Sequence, residues 1–346
     1  MARTILVTGG SGYFGTVLAG QAIARGDRVR IFDLNAPSSV DGSLQYILGD
    51  VRDRAAVRAA CEGVDVVLHN VAQVPLARDR ALFDSVNVVG TANVLVGARE
   101  AGVAKVVHTS SSAVFGIPES NPVREDTPCR PVEAYGRAKV RAEQLCHEAA
   151  ASGLDVSIVR PRTILGHGRL GIFAVLFDFI AAGAPVYVLG RGDNRYQLVH
   201  ADDLADACLR AGDRAGPATY DIGASEFGTM RETIQALVDH AGTGSAVRSL
   251  PVGAAKAGMR ALTTVGLAPF APYHWLLYGE SLYFDTTKAQ TELDWQSRHS
   301  NASMLIESYD WYLTHRAEQR DDLDGARSHH QSPVRLGALK VLRRLP

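Results

Sequence analysis

Residues 4–15 read TILVTGGSGYFG, a short β-branched run that meets glycines at 9, 10, 12 and 15 before a helical pattern opens near Thr16. Gly10, Gly12 and Gly15 satisfy G-x-G-x-x-G, while Gly9, Gly12 and Gly15 satisfy the looser T-G-x-x-G-x-x-G spacing. Missing side chains let the backbone turn sharply, admit a pyrophosphate and let the helix lie close on the sheet, its first N–H groups aimed at the phosphates. The next strand pattern, RVRIFD, ends in Asp33, eighteen positions after Gly15. A carboxylate there bonds both ribose hydroxyls and repels a 2′-phosphate, so NAD is expected rather than NADP.

Outward from this loop the same rhythm continues. Strand patterns over 4–8, 28–33, 45–48, 64–69, 105–110 and 156–160 alternate with helical ones such as 16–25 and 55–62. The stretch VDVVLHNVA is nearly continuous in apolar residues, as a parallel strand buried on both faces requires. Six strands in this order predict an α/β fold, a Rossmann-like doubly wound parallel sheet. The division expected is a dinucleotide-binding domain over 1–165, a smaller substrate-binding lobe over 166–315 with segments returning to the first domain, and a tail over 316–346. A helical pattern covers 172–182, and DDLADACLRAGD opens another with Asp202 or Asp203 as N-cap.

Composition narrows the partners. The 346 residues carry a net charge of −1, 46% hydrophobic and 21% charged residues. That balance suits a globular protein and lacks the basic excess that phosphate-backbone binding needs, so nucleic acid is not an expected partner. Cys61, Cys129, Cys146 and Cys208 form no CxxC pair, which fits a reducing compartment. The N-terminus carries no export pattern, and the apolar windows 173–190 and 251–278 are interrupted by Asp178, Lys256 and Arg260, so a cytoplasmic protein without a membrane span is expected. His69, His108, His167 and His200 show no H-x-x-x-H spacing, and no metal is expected. Leu336, Leu339, Leu342 and Leu345 recur beside Arg335, Lys340, Arg343 and Arg344, a short amphipathic pattern allowing at most weak peripheral membrane contact.

Chemistry concentrates around residues 105–139. KVVHTSSSAVFG puts several hydroxyls at the carboxyl end of the fifth strand, the edge beyond which open α/β sheets bind ligands. Tyr135 and Lys139, four apart in AYGRAKVRAEQLC, share one helical face. An ammonium and an oxidised nicotinamide nearby favour the phenolate of a tyrosine otherwise too weak as a base.

TGGSGYFG, Asp33, SSSAVFG and YGRAK, in that order, resemble the extended short-chain dehydrogenase/reductase family, in its NAD-dependent epimerase/dehydratase branch. The resemblance implies Ser111 as the catalytic serine, Tyr135 as acid–base residue and Lys139 as the lysine that also holds the nicotinamide ribose. The implied cofactor contacts are Gly9, Gly12, Tyr13, Phe14, Gly15, Asp33, Leu34, Asp50, Val51, Val71, Ala72, Asn87, Ser110 and Pro161. Sugar dehydratases of this family carry Asp-Glu directly after the catalytic residue, where this chain has Ser112-Ala113. Elimination lacks its acid and base, and hydride transfer at a secondary alcohol remains. Thr163 stands where many relatives have an asparagine, and Arg195 lies one position from a diphosphate-binding arginine; with Ser111 they are the substrate candidates. The implied activity is an NAD-dependent epimerase acting on a nucleotide sugar as a homodimer. The alternative is a net dehydrogenase of a hydrophobic hydroxyl substrate like those of the 3β-hydroxysteroid dehydrogenases, suggested by NRYQLVHADDLADA and SLYFDTTKAQTELDW.

Overall fold

The computed structural model describes residues 2–36, 44–73, 81–169, 173–253, 255, 257–258 and 279–321. In chain order the first half runs β1 (Thr4–Thr8), α1 (Tyr13–Ala24), β2 (Arg28–Asp33), β3 (Leu44–Leu48), α2 (Arg54–Cys61), β4 (Val66–His69), α3 (Gly90–Glu100), β5 (Lys105–Thr109), α4 (Ala134–Ala151) and β6 (Val156–Pro161). The second half adds β7 (Thr163–Leu165), α5 (Phe173–Ala181), β8 (Val186–Leu189), β9 (Leu198–His200), α6 (Ala201–Asp213), β10 (Ala218–Ile222), α7 (Met230–Ala241), β11 (Val247–Leu250), α8 (Thr287–Leu293) and α9 (Asn301–Asp321).

Seven strands, not six, form the parallel sheet, in the order β10-β6-β5-β4-β1-β2-β3. The order reverses between β1 and β4, and the crevice at this switch point opens beyond the strands' carboxyl ends. Alternation sorts each strand's side chains between two cores: Ile5 and Val7 pack with Leu18, Leu204 and Cys208, whereas Leu6 packs with Val57, Val94 and Cys146. Burial of each such side chain contributes roughly 1.5–3 kcal/mol, and only apolar residues on both faces collect it. The seventh strand, ATYDI, is brief and comes from the second half of the chain, so it carries little periodicity of its own.

The second lobe holds two small parallel pairs, β8 with β11 and β7 with β9, around a core that includes Phe177, Leu237, Met304 and Tyr309. Side-chain amides stitch it together. Asn301 accepts from the Leu198 N–H at 2.9 Å and donates to the Tyr196 carbonyl at 2.6 Å. Gln197 donates to the Ala224 carbonyl at 2.7 Å and accepts from the Phe284 N–H at 2.9 Å.

One local expectation is corrected. The cap of α6 is His200, whose Nδ1 accepts from the Asp202 N–H at 3.2 Å; Asp202 and Asp203 lie inside the first turn. Helix α9 crosses position 316 and runs on to Asp321. The leucine-rich segment after it, and most of the window 251–278, lie outside the described residues.

Candidate active site

The glycine loop turns because Gly9 sits at φ +73° and sends its N–H to the Phe32 carbonyl at 2.8 Å. A Cβ on Gly15 would stand 2.0 Å from the Gly9 carbonyl oxygen, so α1 rests directly on the loop's backbone. Gly12 opens α1 with no side-chain cap and no acid in the first turn, leaving that turn's N–H groups for an anion. A dinucleotide's pyrophosphate fits this cradle. The rings of Tyr13 and Phe14 are buried in the sheet-side core, leaving only their backbones to face the cradle. Asp33 lies beside the loop, its carboxylate accepting from the N–H groups of Ser11 (3.1 Å) and Asn35 (3.0 Å). Leu34 is exposed next to it.

The remaining cofactor candidates divide. Asp50 is held by the Arg52 side chain and N–H, which keep its carboxyl below the usual range. Val51 is buried under Gly90, leaving only its backbone for a ligand. Val71 lies against Gly9, with its nitrogen 3.1 Å from where a Gly9 Cβ would be. Asn87 is buried and spends its amide on Gln73, accepting from the N–H at 2.7 Å and donating to the carbonyl at 3.0 Å. It fixes the loop that holds Val71 and Ala72. Pro161 ends β6 in register with Ile222.

Three consecutive serines at the end of β5 go three ways. Ser110 donates to Glu143 at 2.5 Å in a buried contact. Ser111 caps the short turn Ser112–Val114, its hydroxyl accepting from the Ala113 N–H at 3.2 Å. Ser112 is buried and accepts from the Arg162 guanidinium at 2.8 Å.

Helix α4 brings the other two catalytic candidates to this turn. Glu133 caps it by accepting from the N–H groups of Tyr135 (2.7 Å) and Gly136 (2.6 Å). Gly136 permits close approach, since a Cβ there would lie 2.5 Å from the Ala113 carbonyl oxygen. Tyr135 is braced by the Phe83 ring edge, with centroids 6.3 Å apart. Lys139 is buried and donates to the Thr109 carbonyl at 2.8 Å. Burial pulls its ammonium down to about 8, while Glu143 and Cys146 pull it back up.

One more turn along the same face stands Glu143, which sequence reading missed. It accepts from Arg160 Nε at 2.9 Å and Nη2 at 2.7 Å as well as from Ser110. Its signal was available in the spacing Tyr135, Lys139, Glu143, four residues apart each time. Behind it, burial raises the Asp221 carboxyl to about 7 although Arg160 is near. Opposite, His69 bridges the hydroxyls of Thr8 (2.8 Å) and Thr91 (3.0 Å), and burial drops it to about 3. His69 is therefore a neutral support and no proton carrier at physiological pH.

Of the substrate candidates, Thr163 shares a 2.8 Å hydrogen bond with the Tyr196 hydroxyl. Arg195 is exposed, its guanidinium 4.7 Å from the Phe227 ring centroid and 4.6 Å from that of Tyr283. Arg162 is 1% exposed and lies over Tyr196 and Phe284. Arg169 lies over the Tyr13 ring, and Arg191 faces Asp193 in solvent. His167, between its glycines, is engaged by Glu307 at 2.6 Å.

Residues 5–223 match the family described as NAD dependent epimerase/dehydratase. The chain belongs to that family. Its cofactor is NAD, and its members are oxidoreductases, epimerases and dehydratases. An uncharacterized protein, y4nG, of Sinorhizobium fredii is 50% identical over 343 residues, 99% of this chain and 86% of its own. A UDP-glucose 4-epimerase of Mycolicibacterium smegmatis is 32% identical over 68% of this chain and 82% of its own. A 3 beta-hydroxysteroid dehydrogenase/Delta 5-->4-isomerase of Mycobacterium tuberculosis is 29% identical over 90% of each. Among solved structures, a dTDP-glucose 4,6-dehydratase double mutant from Streptomyces venezuelae with NAD bound is similar at TM-score 0.72, with 27% identity over 91% of this chain and 98% of that one. A UDP-glucose 4-epimerase from Thermotoga maritima gives 0.74 at 21% identity over 90% and 99%. Among the described residues, no helix is long and apolar enough to cross a membrane.

Proposed function

We propose that this family member oxidises a secondary alcohol with NAD at Ser111, Tyr135 and Lys139 and returns the hydride to the opposite face of the ketone, acting as an epimerase on a nucleotide sugar. The observation that carries the reading is the packing of α4 on the Ser111–Ala113 turn: Gly136 brings the Tyr135 helix against the Ala113 carbonyl while Lys139 holds Thr109. In the reaction the Tyr135 oxygen takes the hydroxyl proton and Ser111 steadies the developing charge on the substrate oxygen. Lys139, positively charged below about pH 8, favours the phenolate and has N–H groups to spare for the nicotinamide ribose. NAD supplies the hydride acceptor and donor. No carboxylate stands at 112 or 113, and the Ser112 hydroxyl is committed to Arg162, so the turn offers nothing to eliminate water.

The M. smegmatis epimerase supports the sugar substrate, with Arg195 as the cation on the substrate side. A second reading, net oxidation of a hydrophobic hydroxyl compound, is favoured by the end-to-end similarity to the M. tuberculosis hydroxysteroid dehydrogenase. Incubation with UDP-hexoses, followed by NMR of C4 configuration and absorbance at 340 nm, separates them. Inversion without NADH accumulation supports the epimerase; stoichiometric NADH with a sterol and none with the sugars overturns it. We infer a cytoplasmic homodimer, with domains divided near 165 and 315. The four cysteines are free, in keeping with a reducing compartment, and sedimentation analysis tests the dimer.

A further inference from the structure

Four chain segments converge at the end of β9, away from the catalytic helix. His200 closes β9, His299 follows α8, Glu307 projects from α9 and His167 comes from the loop after β7. One nitrogen or oxygen from each of His200, His299 and Glu307 lies within 4.8 Å of the others. Both histidine Nε2 atoms face the same carboxylate oxygen, Glu307 Oε2, at 3.8 Å from His200 and 3.9 Å from His299. His200 is only 2% exposed, and its Nε2 has no hydrogen-bond partner. A buried polar nitrogen of this kind costs free energy until something pairs with it.

His299 and Glu307 are each held from behind, and a carboxylate stands near His200. The Asp203 carboxylate can only accept, so His299 Nδ1 donates to it at 3.0 Å and leaves Nε2 with a lone pair. Asp203 itself is 1% exposed and also receives the N–H groups of Arg298 and His299. Asp202 Oδ2 stands 3.7 Å from His200 Nδ1. The other oxygen of Glu307 meets His167 Nε2 at 2.6 Å. Carboxylate–histidine pairs of this sort fix the tautomer and orientation of metal ligands.

We propose that His200, His299 and Glu307 bind a first-row divalent cation of the zinc type, with Asp202, Asp203 and His167 as the outer residues that orient them. Two imidazoles and a carboxylate, with no thiolate, suit such an ion better than calcium or magnesium, which prefer all-oxygen shells. With bonds of about 2.0–2.2 Å, the ligand atoms of a tetrahedral ion stand about 3.3–3.5 Å apart, so the two histidine–carboxylate separations close by a few tenths of an ångström and the remaining nitrogen–nitrogen one, within 4.8 Å, by at most about 1.5 Å. The two rings lie stacked, with centroids 3.9 Å and planes 23° apart, and must fan open on binding; the partly exposed His299 is the freer to turn. His200 then carries its proton on Nδ1, toward Asp202, in place of the 3.2 Å bond it accepts from the Asp202 N–H.

The site lies against the dinucleotide loop. A Cβ on Gly166 would meet the Tyr13 hydroxyl at 2.6 Å and His200 Nε2 at 3.2 Å. An ion there ties α9 and the segment after α8 to the end of β9, a structural clasp rather than part of the hydride chemistry.

The test uses the full chain, stripped with a chelator and titrated with Zn²⁺ by calorimetry, with Co²⁺ as a spectroscopic probe. One saturable equivalent, four-coordinate Co²⁺ visible bands and a raised melting temperature are expected. His299→Ala and Glu307→Gln should each weaken binding by at least about tenfold, and His167→Gln, on a half-exposed loop residue, by a smaller factor. His240→Ala, at an exposed residue of α7 that contacts Asp310 and none of the proposed ligands, should leave Zn²⁺ affinity unchanged. Melting curves in chelator show whether each variant is folded; should His299→Ala or Glu307→Gln fail to fold, His167→Gln alone decides. Absence of saturable binding, or affinity unchanged in the folded variants, means an adventitious ion only and overturns the proposal.

Discussion

The two halves of the molecule are held by opposite strategies. In the sheet half, the parts that matter are set by short-range spacing: glycines three apart, a tyrosine and lysine four apart, an acid at a strand end. In the second lobe, the holding bonds join residues about a hundred positions apart, as Asn301 to Leu198 and Tyr196 do. A cofactor shared by many proteins fixes the first kind of arrangement, whereas a particular substrate and a particular packing fix the second.

The comparison breaks most sharply at Tyr135. Tyr135→Phe removes only the proton-accepting oxygen, and turnover should fall by roughly 10²–10⁴-fold with NAD affinity little changed; full activity in a steady-state assay would show that the sheet half does not house the chemistry. Next comes Gly15→Ala, which drives a methyl group into the Gly9 carbonyl. Overpacking of about 1–3 kcal/mol should weaken NAD binding by about ten- to a hundredfold, read by fluorescence titration. A smaller effect sharpens the other half: Arg195→Leu should raise KM for a nucleotide sugar by roughly tenfold and leave kcat within a fewfold, since a lost charged hydrogen bond is worth about 1.5–3 kcal/mol. An unchanged KM would turn the second lobe toward the hydrophobic substrate.

The smallest effect is one of pH. The Asp221 carboxyl titrates near 3.8 in the unfolded chain and about 7 when buried, so the folded state holds its proton more tightly. Its burial therefore costs little below about pH 4 and progressively more as pH rises through 7. Asp221→Asn should raise the melting temperature above pH 7, by roughly 2–4 °C for each kcal/mol relieved, and leave it almost unchanged near pH 4. A gain at low pH would contradict the sign.

What could be read from the sequence follows the same division. Strands β1 and β2 lie where their apolar runs predict, and the Tyr135–Lys139 face and glycine loop needed only local counting. Strand β10 escaped notice because it reaches the sheet edge only after the chain has passed through β7, β8 and β9. The α6 cap was assigned to an aspartate on propensity, and tertiary context gave it to His200 instead. Arg162 is enclosed by the Tyr196 and Phe284 rings, partners that local counting along the chain does not reach. His299 and Glu307 are a hundred residues beyond His200, which no ligand spacing along the chain can anticipate.

The bond from Arg162 to Ser112 closes off one route of redesign. Grafting an acidic pair onto positions 112 and 113, to convert the enzyme to elimination chemistry, would set the first new carboxylate against an enclosed guanidinium that now has a hydroxyl for company. The two would neutralise each other, and the graft would produce a buried ion pair instead of a proton donor. Changing the reaction would first require removing the arginine.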